Sequence, residues 1–309
     1  MDSTVRPRIS LSALSERKLL VVTGKGGVGK STLSAALGLV LTRLGKRVLL
    51  LELDPRESLY QLLDVPPSGG RIVQVLQGLY LQNLQPRSVL DAVVREQIGI
   101  ELLWRRVLAS PVYQHFAEGA PGLKELAVLG HVVRLIRGRA GDEMPDVDLV
   151  VLDAPATGHG LSLLAAPQLI SDVIQDGPFG RMGRELAQFV ADPARCGIVV
   201  ATQAEEMPVQ EAIELIEALE KRLSRKPELV LVNSLYPEAD PESDVAAVAD
   251  DPLLGLWLRR RRVNDREIER LSDVWHGPRL DLPMVPLNRG PDLVAALEER
   301  IEAGLGEGP

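Results

Sequence analysis

Residues 20–32 read LVVTGKGGVGKST, a run of apolar residues followed by a glycine-rich loop. Its first four residues are apolar or β-branched, as in a buried strand, and a loop with four glycines follows. From Gly24 to Ser31 the loop fits G-x-x-x-x-G-K-[ST], a pattern whose backbone N–H groups wrap nucleotide phosphates at the start of a helix. The residues that follow have a helical pattern, so strand, loop and helix stand in the order that a P-loop NTPase requires.

The pattern also predicts the chemistry of the loop. Lys30 is expected to contact the β- and γ-phosphates of ATP, and Ser31 is expected to offer a hydroxyl to Mg²⁺. A glycine-rich turn without a ligand is the alternative interpretation. The residues predicted to contact the nucleotide here are Gly24, Lys25, Gly26, Gly27, Val28, Gly29, Lys30, Ser31 and Thr32.

Short runs rich in Val, Leu and Ile recur along the chain, and they do not alternate with polar residues. Strands that are buried on both faces of a parallel sheet have this composition. Between the runs lie helical patterns, such as residues 208–223 with a charged face opposite an apolar one. We therefore predict an α/β fold with a doubly wound, mostly parallel sheet. The predicted strands are residues 18–23, 48–53, 148–152, 197–201, 228–232 and 284–287.

The alternation of strands and helices is interrupted twice. Residues 88–140 have helical spacing without a convincing strand, and residues 168–192 form a shorter stretch with large apolar side chains. These segments are expected to be a helical subdomain inserted into a single P-loop ATPase domain that covers residues 1–309.

Composition excludes several classes of function. The chain has 35 basic and 43 acidic residues and a formal charge of −8, which disfavours nucleic acid as a partner. Its one cysteine, Cys196, rules out internal disulfides and fits a reducing cytoplasm. No window approaches 18 consecutive apolar residues, so no transmembrane helix is expected.

The segment GKGGVGKST resembles the deviant phosphate loop of the nitrogenase-iron-protein, Min/Par and ArsA group of dimeric ATPases. In that group the first lysine, here Lys25, reaches across a dimer to the partner's nucleotide. The resemblance therefore implies a homodimer, or a heterodimer with a paralogous chain, and a catalytic role in trans for Lys25. A side chain that simply points to solvent is the alternative for Lys25.

A carboxylate follows the second predicted strand, in the segment LLLELDPRES. At this edge of a parallel sheet, Asp54 is placed to orient the attacking water, although Asp-Pro also starts ordinary turns. The same aspartate matches the first switch of the ArsA family, which favours the catalytic role. The family usually continues Asp-Pro-Ala-His, whereas this chain has Arg56 and Glu57, so the similarity extends to Asp54 alone.

Residues 148–167, DLVVLDAPATGHGLSLLAAP, contain a strand that ends at Asp153. An aspartate in this position suits a magnesium site. The segment resembles the second switch of ArsA and of the eukaryotic ATPase that delivers tail-anchored membrane proteins, and it matches at Asp153, Thr157, Gly158 and His159. We expect Ser31, Asp54 and Asp153 to form the metal site, and Lys25, Lys30 and Asp54 to act in catalysis.

Two later segments resemble the family's adenine site. In PELVLVNSLYP, Asn233 has a side chain that both donates and accepts, as an adenine edge requires. An asparagine that closes a strand into a turn is the alternative. In LPMVPLNRGPDL, the similarity points to Pro286 and Leu287 beside the base.

The resemblance covers about residues 17–300 and implies a client for the helical subdomain. A hydrophobic, tail-anchored-like protein is one candidate, although apolar residues of the helical segments also serve to pack on the core. A slowly hydrolysing scaffold is a second possibility, and arsenite efflux is disfavoured because Cys196 offers one thiol. The acidic C-terminus and the short cluster Arg259–Arg262 allow at most transient membrane contact.

Overall fold

The computed structural model describes residues 7, 9–53, 57–67, 69–138, 145–155, 158–238 and 252–306, apart from the side chains at 158, 159 and 252. Within these ranges eight strands form one sheet. The strands are β1 (Leu19–Gly24), β2 (Val48–Glu52), β3 (Val73–Leu76), β4 (Leu79–Asn83), β5 (Leu149–Asp153), β6 (Cys196–Gln203), β7 (Leu229–Leu235) and β8 (Arg279–Pro283).

The strand order across the sheet is β3-β4-β2-β5-β1-β6-β7-β8. All neighbouring pairs are parallel except β3 and β4, which form an antiparallel pair at one edge. The predicted, mostly parallel sheet is thus confirmed. Because β1 lies between β5 and β6, the segments that follow these three strands meet at the carboxyl ends of the strands. Ligands bind at this end of the sheet in such folds.

Helices cover both faces of the sheet. In β1, Leu19 and Val21 belong to one hydrophobic core and Leu20 and Val22 to the other. Each core strand therefore needs apolar residues at every position, which explains the uninterrupted apolar runs. The second core is covered by α1 (Leu11–Ser15), α2 (Lys30–Arg43), α3 (Ser58–Leu62) and α12 (Pro291–Leu305).

The first core is covered by helices from the middle of the chain. Between β4 and β5 the described residues contain four helices and no strand, and two more helices follow β5. These six helices are α4 (Pro86–Ile98), α5 (Glu101–Ala109), α6 (Pro111–Gly119), α7 (Leu123–Ile136), α8 (Gly158–Val173) and α9 (Gly177–Ala191). Two later helices, α10 (Glu206–Leu223) and α11 (Pro252–Val274), also contribute to the first core.

The last predicted strand, residues 284–287, is wrong. The edge strand β8 ends at Pro283, and residues 284–287 belong to no strand or helix. Pro286, inside this run, has no N–H to donate to a neighbouring strand. The true strand, RLDL, alternates apolar and polar residues because an edge strand is only partly covered, so its composition does not resemble that of the core strands.

Candidate active site

The phosphate loop connects the end of β1 to the start of α2, as the sequence predicts. Gly24, Gly27 and Gly29 have φ values of 148°, 88° and 91°, which favour glycine. A Cβ atom at Gly24 would lie 2.1 Å from the carbonyl oxygen of Ala201, and one at Gly29 would lie 2.5 Å from Nδ2 of Asn233. The loop therefore packs closely against β6 and β7.

Ser31 and Asp153 are in direct contact at the start of α2. The Ser31 hydroxyl donates to Oδ2 of Asp153 at 2.6 Å, and Ser34 donates to Oδ1 at 3.3 Å. Asp153 is 4% exposed. Within the described ranges, no cluster of three His, Cys, Asp or Glu side chains could hold a metal. A hydroxyl beside one buried carboxylate nevertheless fits Mg²⁺, which takes few protein ligands and binds substrate phosphates.

A cleft of about 350 Å³ opens above the phosphate loop. Lys30 lies on its wall, and its ammonium group donates to the carbonyl oxygen of Lys25 at 2.8 Å. Backbone amides and a lysine on one side, with a carboxylate on the floor, suit a phosphate chain with its metal. The cleft is lined by Gly26, Gly27, Gly29, Lys30, Ser31, Thr32, Ser58, Asp153, Ala154, Pro155 and Arg289.

The Lys25 side chain is directed towards α10. Its ammonium nitrogen lies 3.2 Å from Oε1 of Glu211 on α10, and both side chains are about one quarter exposed. Among the described residues that line the cleft, Lys25 is absent. Its charge is therefore held against α10 rather than in the described cleft.

The predicted adenine residues lie in two different environments. Asn233 is buried at the end of β7, and its Nδ2 donates to the carbonyl oxygen of Val28 at 3.0 Å. Pro286 and Leu287 are exposed in the segment after β8 and do not line the described cleft. The structure therefore brings Asn233 to the phosphate loop, whereas Pro286 and Leu287 are not among the residues that line the described cleft.

Two predicted switch residues fall outside the described residues. Asp54 and Thr157 belong to the ranges 54–56 and 156–157, and the His159 side chain is likewise not described. Gly160 is described, in the first turn of α8. A Cβ atom there would lie 2.1 Å from Oγ1 of Thr23, so the second switch packs closely on β1.

The sequence analysis missed Glu52, the last residue of β2. This carboxylate is fully buried beside Asp153 in the sheet register, and it accepts from the backbone N–H of Leu59 at 3.1 Å and from Nδ2 of Asn83 at 3.4 Å. Burial is the main cause that raises the pKa of Glu52 from 4.5 to about 7, and Asp153 adds to it. An acidic residue inside the apolar run LLLEL was the signal available in the sequence.

Glu52 should make stability depend on pH. Because its pKa is higher in the folded protein than in the unfolded chain, its contribution is complete below pH 4.5 and is lost as pH rises through about 7. We expect Glu52→Gln to gain stability relative to wild type over this interval, by about 3 kcal/mol at most. Urea unfolding of the nucleotide-free proteins at pH 5 and pH 8 measures the difference. A stability difference between Glu52→Gln and wild type that is the same at pH 5 and pH 8 would contradict this account.

Comparison with known proteins decides the family. Residues 17–177, more than half of the chain, match the family model described as anion-transporting ATPase, the ArsA ATPase family. The chain belongs to this family. It is accordingly an ATP-hydrolysing enzyme, and the cleft above the phosphate loop is the candidate site of that reaction.

Individual relatives support the ArsA assignment. This ArsA-type ATPase is 29% identical to ATPase BagA of Mycobacterium tuberculosis over 77% of its own length and 71% of that protein. It is 23% identical to ATPase asna-1 of Caenorhabditis elegans over 92% and 93% of the two chains. An arsenical pump-driving ATPase of Escherichia coli is 26% identical, and the match covers 87% of this ATPase but 46% of that protein.

Proposed function

We propose that this ATPase binds Mg²⁺-ATP at residues 24–32, closes as a cytoplasmic homodimer, and uses hydrolysis to hold and release a hydrophobic protein client. Asp54 would position the attacking water, Ser31, Asp54 and Asp153 would hold the metal, and Asn233, Pro286 and Leu287 would lie beside adenine. The hydrogen bond between Ser31 and the buried Asp153 supports the metal assignment, and the family supports the nucleotide. The proposal of a hydrophobic client is supported by a different observation.

That observation is an exposed apolar surface on α5 and α6. Helix α5 has no buried residue although it is rich in apolar side chains. Six of the sixteen exposed large apolar side chains in the described ranges fall within residues 100–116, and Leu102 is 78% exposed. A concentration of this kind marks an interaction site more often than chance exposure does. We define the α5/α6 surface as Ile100, Leu102, Leu103, Val107, Val112 and Phe116.

Other apolar residues of the helical segments serve the core. Phe189 is 1% exposed, and Phe179 and Met182 pack against the first hydrophobic core. Core packing, the alternative that the sequence left open, therefore explains α9. It does not explain Phe116, which is 48% exposed.

A chain of packed helices connects the α5/α6 surface to the active site. Helix α8 begins at Gly158, directly after the segment that follows Asp153, and it packs on α7 and α9. Helix α7 packs on α4, which in turn packs on α5. Loss of the γ-phosphate would move the start of α8, and rigid helices can carry such a shift to a distant surface.

The chemistry of arsenite capture has little support in this chain. Cys196 is fully buried at the start of β6, and burial raises the pKa of its thiol to about 12. The thiolate is the form that binds thiophilic centres, and here it is strongly disfavoured. In the described parts of the chain, every helix is too short or too polar to cross a membrane. We propose at most transient contact with lipid, as the acidic C-terminal segment and the short cluster Arg259–Arg262 indicate.

Replacing Leu102 and Phe116 together with serine tests the client. We expect the double variant to bind a fluorescent transmembrane-segment peptide at least about tenfold more weakly, because two apolar contacts are removed. Unfolding temperature and peptide-free ATP turnover should stay at the wild-type level, since both side chains are exposed. Fluorescence titration with a non-hydrolysable ATP analogue present measures the binding.

Leu253→Ser is the matched control, because Leu253 is the same residue type as Leu102 and is 77% exposed on helix α11. Because Leu253 is outside the α5/α6 surface, the variant should bind the peptide as wild type does. Equal affinity of the double variant and wild type would contradict a client site on the α5/α6 surface. Wild-type protein that hydrolyses ATP but retains no peptide would instead favour the scaffold alternative.

A further inference from the structure

Arg289 is a charged residue of the cleft that the sequence motifs did not indicate. It lies in the segment between β8 and α12, far along the chain from the phosphate loop, and it lines the cleft together with Lys30, Ser31 and Asp153. Helix α12, which begins two residues later, packs extensively along α2. The position of Arg289 is thereby tied to the helix whose first turn forms the phosphate site.

Within the part of the chain that the structure describes, the hydrogen-bond partner of the Arg289 guanidinium group is neutral. Its Nη2 donates to the carbonyl oxygen of Ser58 at 3.5 Å, which is long for a hydrogen bond. Among the described residues, no carboxylate lies within ion-pair distance of its guanidinium group. A guanidinium group presents a planar fork of donors that matches phosphate oxygens, and it is always charged at physiological pH.

Ser58 supplies the carbonyl oxygen that accepts this long hydrogen bond from Arg289. It is the first residue of α3, and Glu57 before it has a φ of 50°, in the left-handed region. The Ser58 carbonyl is a neutral acceptor, whereas a phosphate oxygen carries charge and forms the stronger bond. A bound nucleotide would therefore draw the guanidinium group away from Ser58 and into the cleft.

We infer that Arg289 is a phosphate-binding residue of this ATPase, a cation that reaches the nucleotide from the segment between β8 and α12. Its ligand is the phosphate chain of a nucleoside di- or triphosphate. This inference rests on the proposed use of the cleft for ATP. It adds a binding residue from the C-terminal part of the chain, beyond the family match at residues 17–177.

Affinity for adenine compounds with different numbers of phosphates tests the inference. We expect Arg289→Ala and Arg289→Gln to weaken binding of ADP and ATP by about tenfold to a hundredfold, the effect of one charged hydrogen bond. Adenosine should bind these variants as it binds wild type. Arg289→Lys should fall between, because it keeps the charge and loses the fork. Calorimetric titration of the full chain with adenosine, ADP and Mg²⁺-ATP measures all three ligands.

Arg262→Ala, at an exposed arginine on α11 outside the described cleft, is the control and should leave every affinity unchanged. Arg289 variants that bind ATP as tightly as wild type would overturn the inference. So would an equal loss for adenosine and ATP, because it would assign Arg289 to the base. Wild-type protein that binds no ATP at this cleft would instead refute the proposed function.

Discussion

Lys25→Ala is expected to lower ATP turnover about a thousandfold, the low end of the effect of a cation supplied in trans. Nucleotide affinity should stay within about threefold of wild type, because the Lys25 side chain contacts Glu211 rather than the described cleft. Lys30→Ala should behave differently and lose affinity itself, since Lys30 lies on the cleft wall. Steady-state phosphate release and equilibrium nucleotide titration separate the two effects.

The ion pair with Glu211 is compatible with movement of Lys25. Both partners are partly exposed, and pairs of this kind contribute about 1 kcal/mol or less. A developing charge on a transferring phosphoryl group offers far more, so closure of a dimer can break the pair at small cost. Lys46→Ala, at a lysine that pairs with Glu16, is a control that should retain full turnover.

Mixing two inactive variants provides the decisive measurement. In a mixed dimer, the Lys25→Ala protomer keeps its own Lys30 and receives Lys25 from the Lys30→Ala protomer. Random exchange should then restore about a quarter of wild-type turnover, because half of the dimers contain one complete site. If Lys25 acts within its own protomer, no mixture will exceed the activity of its components.

The sequence predicted the sheet well where burial is uniform. Core strands such as β5 are covered on both faces, so their residues are apolar at every position and the run itself marks the strand. At the two edges of the sheet the covering is incomplete. The β3/β4 pair was missed there although a Gln-Gly turn with Gly78 at a φ of 87° joins its strands, and β8 was placed too late.

The candidate site was predictable where a local motif carries it. The phosphate loop, Lys30 and Ser31 follow one another along the chain, so their spacing is visible in the sequence. The order of the strands places Glu52 beside Asp153, and Arg289 lines the cleft from the segment before α12, which packs on α2. No spacing rule connects residues 52 and 289 with residues 24–32, and a sequence pattern therefore could not place them.

Gly160→Ala is expected to lower turnover about a hundredfold, as misplacement of a catalytic segment by about 1 Å can do. The added Cβ atom would lie 2.1 Å from Oγ1 of Thr23, so the start of α8 must shift away from β1. Thr23 is fully buried, and its side chain has little room to yield. Overpacking of this kind should also cost about 1–3 kcal/mol of stability. Phosphate-release assays and urea unfolding measure the two losses.

Substitutions of Thr23 test whether the clash with its hydroxyl causes both losses. This hydroxyl is buried and has no hydrogen-bond partner among the described residues. Adding Thr23→Ala to Gly160→Ala removes the clashing oxygen and should restore most of the turnover and the stability. Adding Thr23→Val should restore neither, since valine keeps an atom of similar size at the same position. If alanine and valine rescue equally, or if neither does, contact between β1 and the second switch is not the reason that residue 160 is glycine.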